Sequence, residues 1–91
     1  MKKLPENLEG YKKTPVFDQE SVPRGLLKDH CTKENVWGKI WILEGELLYT
    51  IQSEPIEEIV LSRDRFGVVE PQILHFVTPL GKVKFYVEFL K

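Results

Sequence analysis

The chain has one cysteine and two histidines, and its two charge signs nearly cancel; each shortage removes a class of protein. A lone cysteine has no partner for an internal disulfide, so packing must hold the fold, in keeping with a reducing compartment. No stretch approaches the roughly 18 apolar residues that span a bilayer. The start, Met1-Lys2-Lys3-Leu4-Pro5-Glu6, has the charge of a secretory leader but runs into Pro, Glu and Asn instead of an apolar segment, and the expected location is the cytoplasm. Thirteen basic and fourteen acidic side chains, with no basic block, argue against nucleic acid as a partner. A Gly-rich phosphate loop, a C-x-x-C pair and a G-x-S-x-G elbow are also missing, so any catalysis is expected to be metal-assisted rather than nucleophilic.

The 91 residues that remain to be placed suit a single domain, 1–91. A chain of this length hides roughly 60–65% of the surface its unfolded form exposes, enough for one core. Residues 1–25 carry Pro5, Gly10, Pro15, Pro23 and Gly25, too many breaks for a helix, and read as an extended N-terminal arm. Within it, Thr14-Pro15-Val16-Phe17 suits an edge strand pinned by the Phe17 ring. Asp18 to Pro23 reads as a turn in which the Asp18 side chain folds back on the backbone.

From Leu26 onward apolar and polar positions alternate, which predicts strands. Val36 to Leu43 is apolar on both faces apart from Lys39 and is expected to be central. Glu44-Gly45 reads as a hairpin turn into Glu46–Gln52, which turns Leu47, Tyr49 and Ile51 to one side. Ile56–Leu61 fits a strand or a single helical turn. Further strands are expected at Phe66–Val69 and Ile73–Thr78. The last run, Lys82 to Lys91, alternates most cleanly and sends Val83, Phe85, Val87 and Phe89 to the core. Seven or eight short strands without a helix predict an all-β, antiparallel structure, closed or sandwiched. A barrel of about eight strands has room for one small ligand or metal.

Several motifs, in order, then resemble a known family: Tyr11-Lys12-Lys13-Thr14-Pro15-Val16-Phe17, Val22-Pro23-Arg24-Gly25 through Asp29-His30-Cys31-Thr32, Val36-Trp37-Gly38, Leu43-Glu44-Gly45, Glu70-Pro71-Gln72 to His75, and Phe85-Tyr86-Val87-Glu88-Phe89. Together they are similar to the TehB/YeaR-like small proteins related to tellurite resistance and stress. That resemblance implies a cupin-like (RmlC-like jelly-roll) antiparallel β-barrel. It also implies matches for His30 in the first cupin motif and for His75 in the second. Thr32 stands where a second histidine belongs, and Trp37-Gly38 near where the glutamate belongs, so two of the four usual metal ligands are present.

On that reading the candidate site is one divalent metal, zinc or iron foremost, held by His30 and His75 with Glu70 or Gln72 supplying oxygen. Thr32, two residues from His30, shares its face, and Trp37 and Tyr49 are candidate pocket lining. The bland alternative is two core or rim histidines satisfied by hydrogen bonds. Cys31 reads as a small buried hydrophobe or a redox-active thiol. Arg63-Asp64-Arg65 reads as a solvated turn, and Lys39, a charge within an apolar strand, needs a partner or an outlet. The functional expectation is a stress- or tellurite-associated protein binding a metal and a small-molecule substrate. Its rival is a metal-free ligand-binding or sensing module acting through a partner. Outward Trp41, Tyr86 and Leu90, with the arm, are expected to make a homodimer.

Overall fold

A computed structural model describes residues 1–91. Eight strands follow one another: β1 (Gly10–Lys13), β2 (Phe17–Asp18), β3 (Trp37–Glu44), β4 (Leu47–Ile51), β5 (Glu57–Leu61), β6 (Gly67–Val69), β7 (His75–Pro79) and β8 (Lys84–Leu90). The only helical element is one 3-10 turn at Arg24–Leu27. All strand pairings are antiparallel. One sheet runs β1-β8-β3-β6, with β2 also on β8, and the second runs β5-β4-β7.

The period-2 pattern explains the core. In β8, Phe85 and Val87 point inward with Val83 just before them, opposite Ile40 and Ile42 of β3. The second sheet answers with Leu47, Tyr49, Ile51, Ile59, Leu61 and Val77. Phe17 meets Phe85 edge-on at 5.8 Å, which pins β2 as its ring position suggested. The undecided segment Ile56–Leu61 is strand, because its register against β4 buries Ile59 and Leu61.

Two expectations change. The sheets are not closed into a barrel: no ladder joins them, and β6, the edge strand of the larger sheet, is three residues long, too short to carry the pairing across. An all-β fold of two facing sheets is what the strands make, and a barrel of the cupin type is not seen. Nor do β3 and β4 form a hairpin, since they belong to different sheets. Glu44-Gly45-Glu46 is a corner that carries the chain across the core. Gly45 has φ +75, and a Cβ there would run into the Lys82 carbonyl oxygen, so only glycine suits both the angle and the space.

The N-terminal segment is tied down rather than loose. Besides β1 and β2 on β8, Glu9 and Lys91 exchange two backbone hydrogen bonds, 3.3 and 3.1 Å, so the residue leading into β1 is tied to the C-terminal residue, while Met1 itself lies against Glu57. Asp18 Oδ1 accepts from the amides of Glu20 and Ser21, both at 2.8 Å, which makes the turn the sequence indicated. Those amide bonds hold the Asp18 carboxyl below its ordinary range. No helix is long and apolar enough to cross a membrane.

Phe85 is fully buried between the sheets. Phe85→Ala is expected to cost about 3–5 kcal/mol, a large part of the roughly 5–15 kcal/mol available to a domain. Val60→Ala, on an exposed outer position, is expected to stay within about 0.5 kcal/mol. Urea midpoints of the two variants check the contrast.

Candidate functional site

His30 follows the 3-10 turn and lies against β7. Its amide donates to the His75 carbonyl and accepts the His75 amide on its own carbonyl, both at 2.8 Å, a two-way bridge outside the regular ladders. The bridge sets the imidazoles edge to face, 5.3 Å apart at 83°. Tyr49 adds its ring edge-on to His75 at 5.6 Å and donates its hydroxyl to the Val68 carbonyl at 2.9 Å. Burial raises the Tyr49 phenol above its ordinary value, with Glu57 and Glu70 adding to the effect, so it stays a neutral donor.

Between the sheets beside this bridge lies a cavity of about 40 Å³. His30, His75, Thr14 and Thr32 are its polar lining, and Leu26, Ile40, Val69, Val77, Phe85, Val87 and Phe89 supply the rest. Both hydroxyls are committed: Thr32 donates to the Val36 carbonyl at 2.7 Å, and Thr14 to the Pro15 carbonyl at 2.9 Å. The His75 Nδ1 lies 3.2 Å from the Ile73 carbonyl oxygen, which can only accept; Nδ1 therefore carries the proton and Nε2 keeps its lone pair. The cavity thus offers imidazole nitrogen within an otherwise apolar wall.

Burial lowers both imidazole pKa values below the ordinary 6.5. For His75 the neighbouring His30 lowers it further, while the hydrogen bond to Ile73 works the other way. At neutral pH both rings are neutral.

The residues singled out in the sequence separate into two groups. His30, His75 and Thr32 come together, with Cys31 between them exposed to solvent. Glu70 does not join them: it is turned to the opposite opening, where it pairs with Lys2 at 3.0 Å. Gln72 is exposed on a left-handed backbone, φ 61, its amide donating to the Thr32 carbonyl at 3.2 Å. Trp37 faces away from the cavity, on the Lys39 side of β3, and Tyr49 sits beneath His75 without lining it. The cavity lining was readable only in part: Ile40, Phe85 and Val87 lie on inward positions of alternating strands, whereas Leu26 and Thr14 reach it through long-range packing.

The zinc or iron site expected of His30, His75, Glu70 and Gln72 is therefore corrected. No group of three or more His, Cys, Asp or Glu side chains is placed to hold an ion. Two imidazoles alone leave a divalent ion short of the three or four protein ligands it ordinarily takes.

The folded chain resists protonating His75 while the unfolded chain takes up a proton near 6.5, so the unfolded state gains protons first as pH falls. Stability is thus full above pH 6.5 and is lost below it, by up to about 1.4 kcal/mol per pH unit for an imidazole that stays neutral in the fold. Urea midpoints between pH 7.5 and 5.5 should fall accordingly, and His75→Gln should flatten the slope. Tyr49→Phe, which leaves the Val68 carbonyl unpaired, should cost about 1–3 kcal/mol in the same assay.

Comparison with known proteins places this geometry. The TehB-like domain family matches residues 12–87. A probable S-adenosyl-L-methionine-dependent methyltransferase TehB of Haemophilus influenzae (strain Rd) is 32% identical over 75 residues, 78% of this chain and 26% of that protein. The crystal structure of TehB from Haemophilus influenzae superposes with a TM-score of 0.85 at 29% identity, over 93% of this chain and 32% of that one. A crystal structure of a protein from E. coli (strain K12), at 19% identity, shares the fold alone, with a TM-score of 0.87 over 100% of this chain and 97% of that one. The chain spans about a quarter of the length of the curated relatives it matches. These relatives carry a methyltransferase name, which together with the missing ligand cluster overturns the expectation of a metal-binding cupin with a divalent cofactor. On the match to three quarters or more of its residues, this chain belongs to the TehB-like domain family.

Proposed function

We propose that this chain is the accessory β module of a TehB-type methyltransferase system. In this reading it receives a small acceptor at the His30–His75 cavity, while S-adenosylmethionine is held by a separate domain. The observation that carries the reading is the family match over residues 12–87 in a chain spanning about a quarter of relatives named as methyltransferases.

The residues here do not fit the cofactor. Pockets for ligands of that size run to about 300–1,000 Å³, whereas the cavity between the sheets measures about 40 Å³. It holds no carboxylate to meet a sulfonium charge. The strand–helix crevices in which open α/β sheets seat nucleotide cofactors need helices, and one 3-10 turn does not supply them.

A much smaller guest does suit the space, because about 10–15 Å³ of such volume seats one water and the cavity has room for a few heavy atoms. His75 lines the cavity and keeps Nε2 free to accept a hydrogen bond, and the apolar wall disfavours a bare anion. A singly protonated chalcogen oxyanion, the form selenite and tellurite take near neutral pH, has one O–H to give and brings less charge to that wall than the dianion. The resemblance to tellurite-resistance proteins makes chalcogen oxyacids the first guests to try.

Titration of the chain with selenite, tellurite and S-adenosylmethionine, followed through the ring resonances of His30 and His75, tests the proposal. The oxyacids should shift both rings, and His75→Ala should lose the response at His30. Failure of either ring to respond to the oxyacids removes the acceptor cavity. Micromolar binding of S-adenosylmethionine by the chain alone would overturn the division of labour.

A further inference from the structure

The outer face of the larger sheet carries what a solvent face ordinarily lacks. Trp41 of β3 stacks on Tyr86 of β8, 6.4 Å between centroids at 22°, and leans on Phe66 at 5.7 Å and 37°. Lys39 places its ammonium 4.0 Å from the Trp41 ring centre and 4.2 Å from that of Phe66. Glu88 accepts the Trp41 Nε1–H at 3.2 Å. Lys39 therefore finds its outlet on aromatic faces and has no carboxylate partner, although Glu88 is its cross-strand neighbour.

We propose that a second copy of this chain docks on this face about a twofold axis. Trp, Tyr and Phe clustered on an outer sheet face are the residue types enriched in interface cores. The charges decide between occupants. Register sets Lys13 opposite Glu88 on one side and Lys39 opposite Glu88 on the other, a row reading plus, minus, plus across β1, β8 and β3. A twofold contact needs a surface complementary to itself. An axis lying in the contact plane, parallel to the strands and between β3 and β8, sets Glu88 of each copy over Lys39 of its mate. The same operation sets Trp41 over Tyr86, since these are also cross-strand partners. The size agrees: a sheet face of a molecule 33 × 29 × 24 Å across offers on the order of the 800 Å² per partner of a standard interface. Leu90, expected to share this face, is instead buried and plays no part.

Sedimentation equilibrium tests this directly. The wild-type chain should approach twice 10.7 kDa as concentration rises into the hundreds of micromolar. Lys39→Glu and Glu88→Lys should each remain at the monomer mass while keeping a native β spectrum, and mixing the two should restore the dimer, because the β3 and β8 positions of this row are then both negative on one face and both positive on the other. Val60→Lys, on the outer face of the other sheet, should dimerise as wild type does. If Lys39→Glu fails to fold, Tyr86→Ser carries the same test. A wild-type chain that stays monomeric overturns the proposal, as does one that stays monomeric alone but is captured through Trp41 by a TehB-type methyltransferase domain. Dimers unaffected by both charge reversals, or a mixture that stays monomeric, overturn it equally.

Discussion

The ladder between β3 and β8 is the constraint on which the rest of the structure depends. Its register pairs Ile40 with Val87 and Ile42 with Phe85 on the inside, and Lys39 with Glu88 and Trp41 with Tyr86 on the outside. A slip of one residue would exchange these two sets, turning an ammonium and a carboxylate into the core and the aliphatic wall of the cavity into water. β1 and β2 build on the free edge of β8, β6 on that of β3, and the second sheet packs on the inward row they share. The cavity and the outer aromatic row are therefore two sides of one register.

The His30–His75 bridge has a different standing. It belongs to neither ladder, and it holds a loop, not a strand, against the edge of β7. Two backbone hydrogen bonds place it, and the imidazoles follow the backbone. Because no acid is brought to the pair, the site is a neutral one in which polarity is scarce and localised. That separates it from the charged opening on the other side of Tyr49, where Lys2 and Glu70 pair and the Met1 ammonium meets Glu57.

Local pattern made some of this legible. Alternation through Val83, Phe85 and Val87 assigned both the strand and its buried face, because a strand has only two faces to choose between. Asp18 announced its turn through side-chain chemistry that acts within three residues. The parity of His30 and Thr32 placed them together for the same local reason. Gly45 was recognisable as a turn, yet a positive-φ glycine serves a hairpin and a corner between sheets equally, and which one forms is decided by where β8 lies. Glu70 is brought to the histidines only by a bulge at Pro71; without it, Glu70 keeps the face that strand parity gives it, away from His75, and pairs there with Lys2. Closure into a barrel depended on the length of β6, a property of pairing rather than of residue type.

The meeting of Glu9 with Lys91 has a bearing on how this fold travels. The start of β1 and the end of β8 lie side by side, and Thr14 bonds to Val87 across 73 residues of chain. Units built this way tolerate circular permutation and insertion, because a host polypeptide can leave and re-enter without threading or stretching. The same topology covers nearly the whole of the E. coli structure and about a third of the Haemophilus one. A fold whose first and last strands are neighbours can be carried within a longer polypeptide without disturbing the core between its sheets.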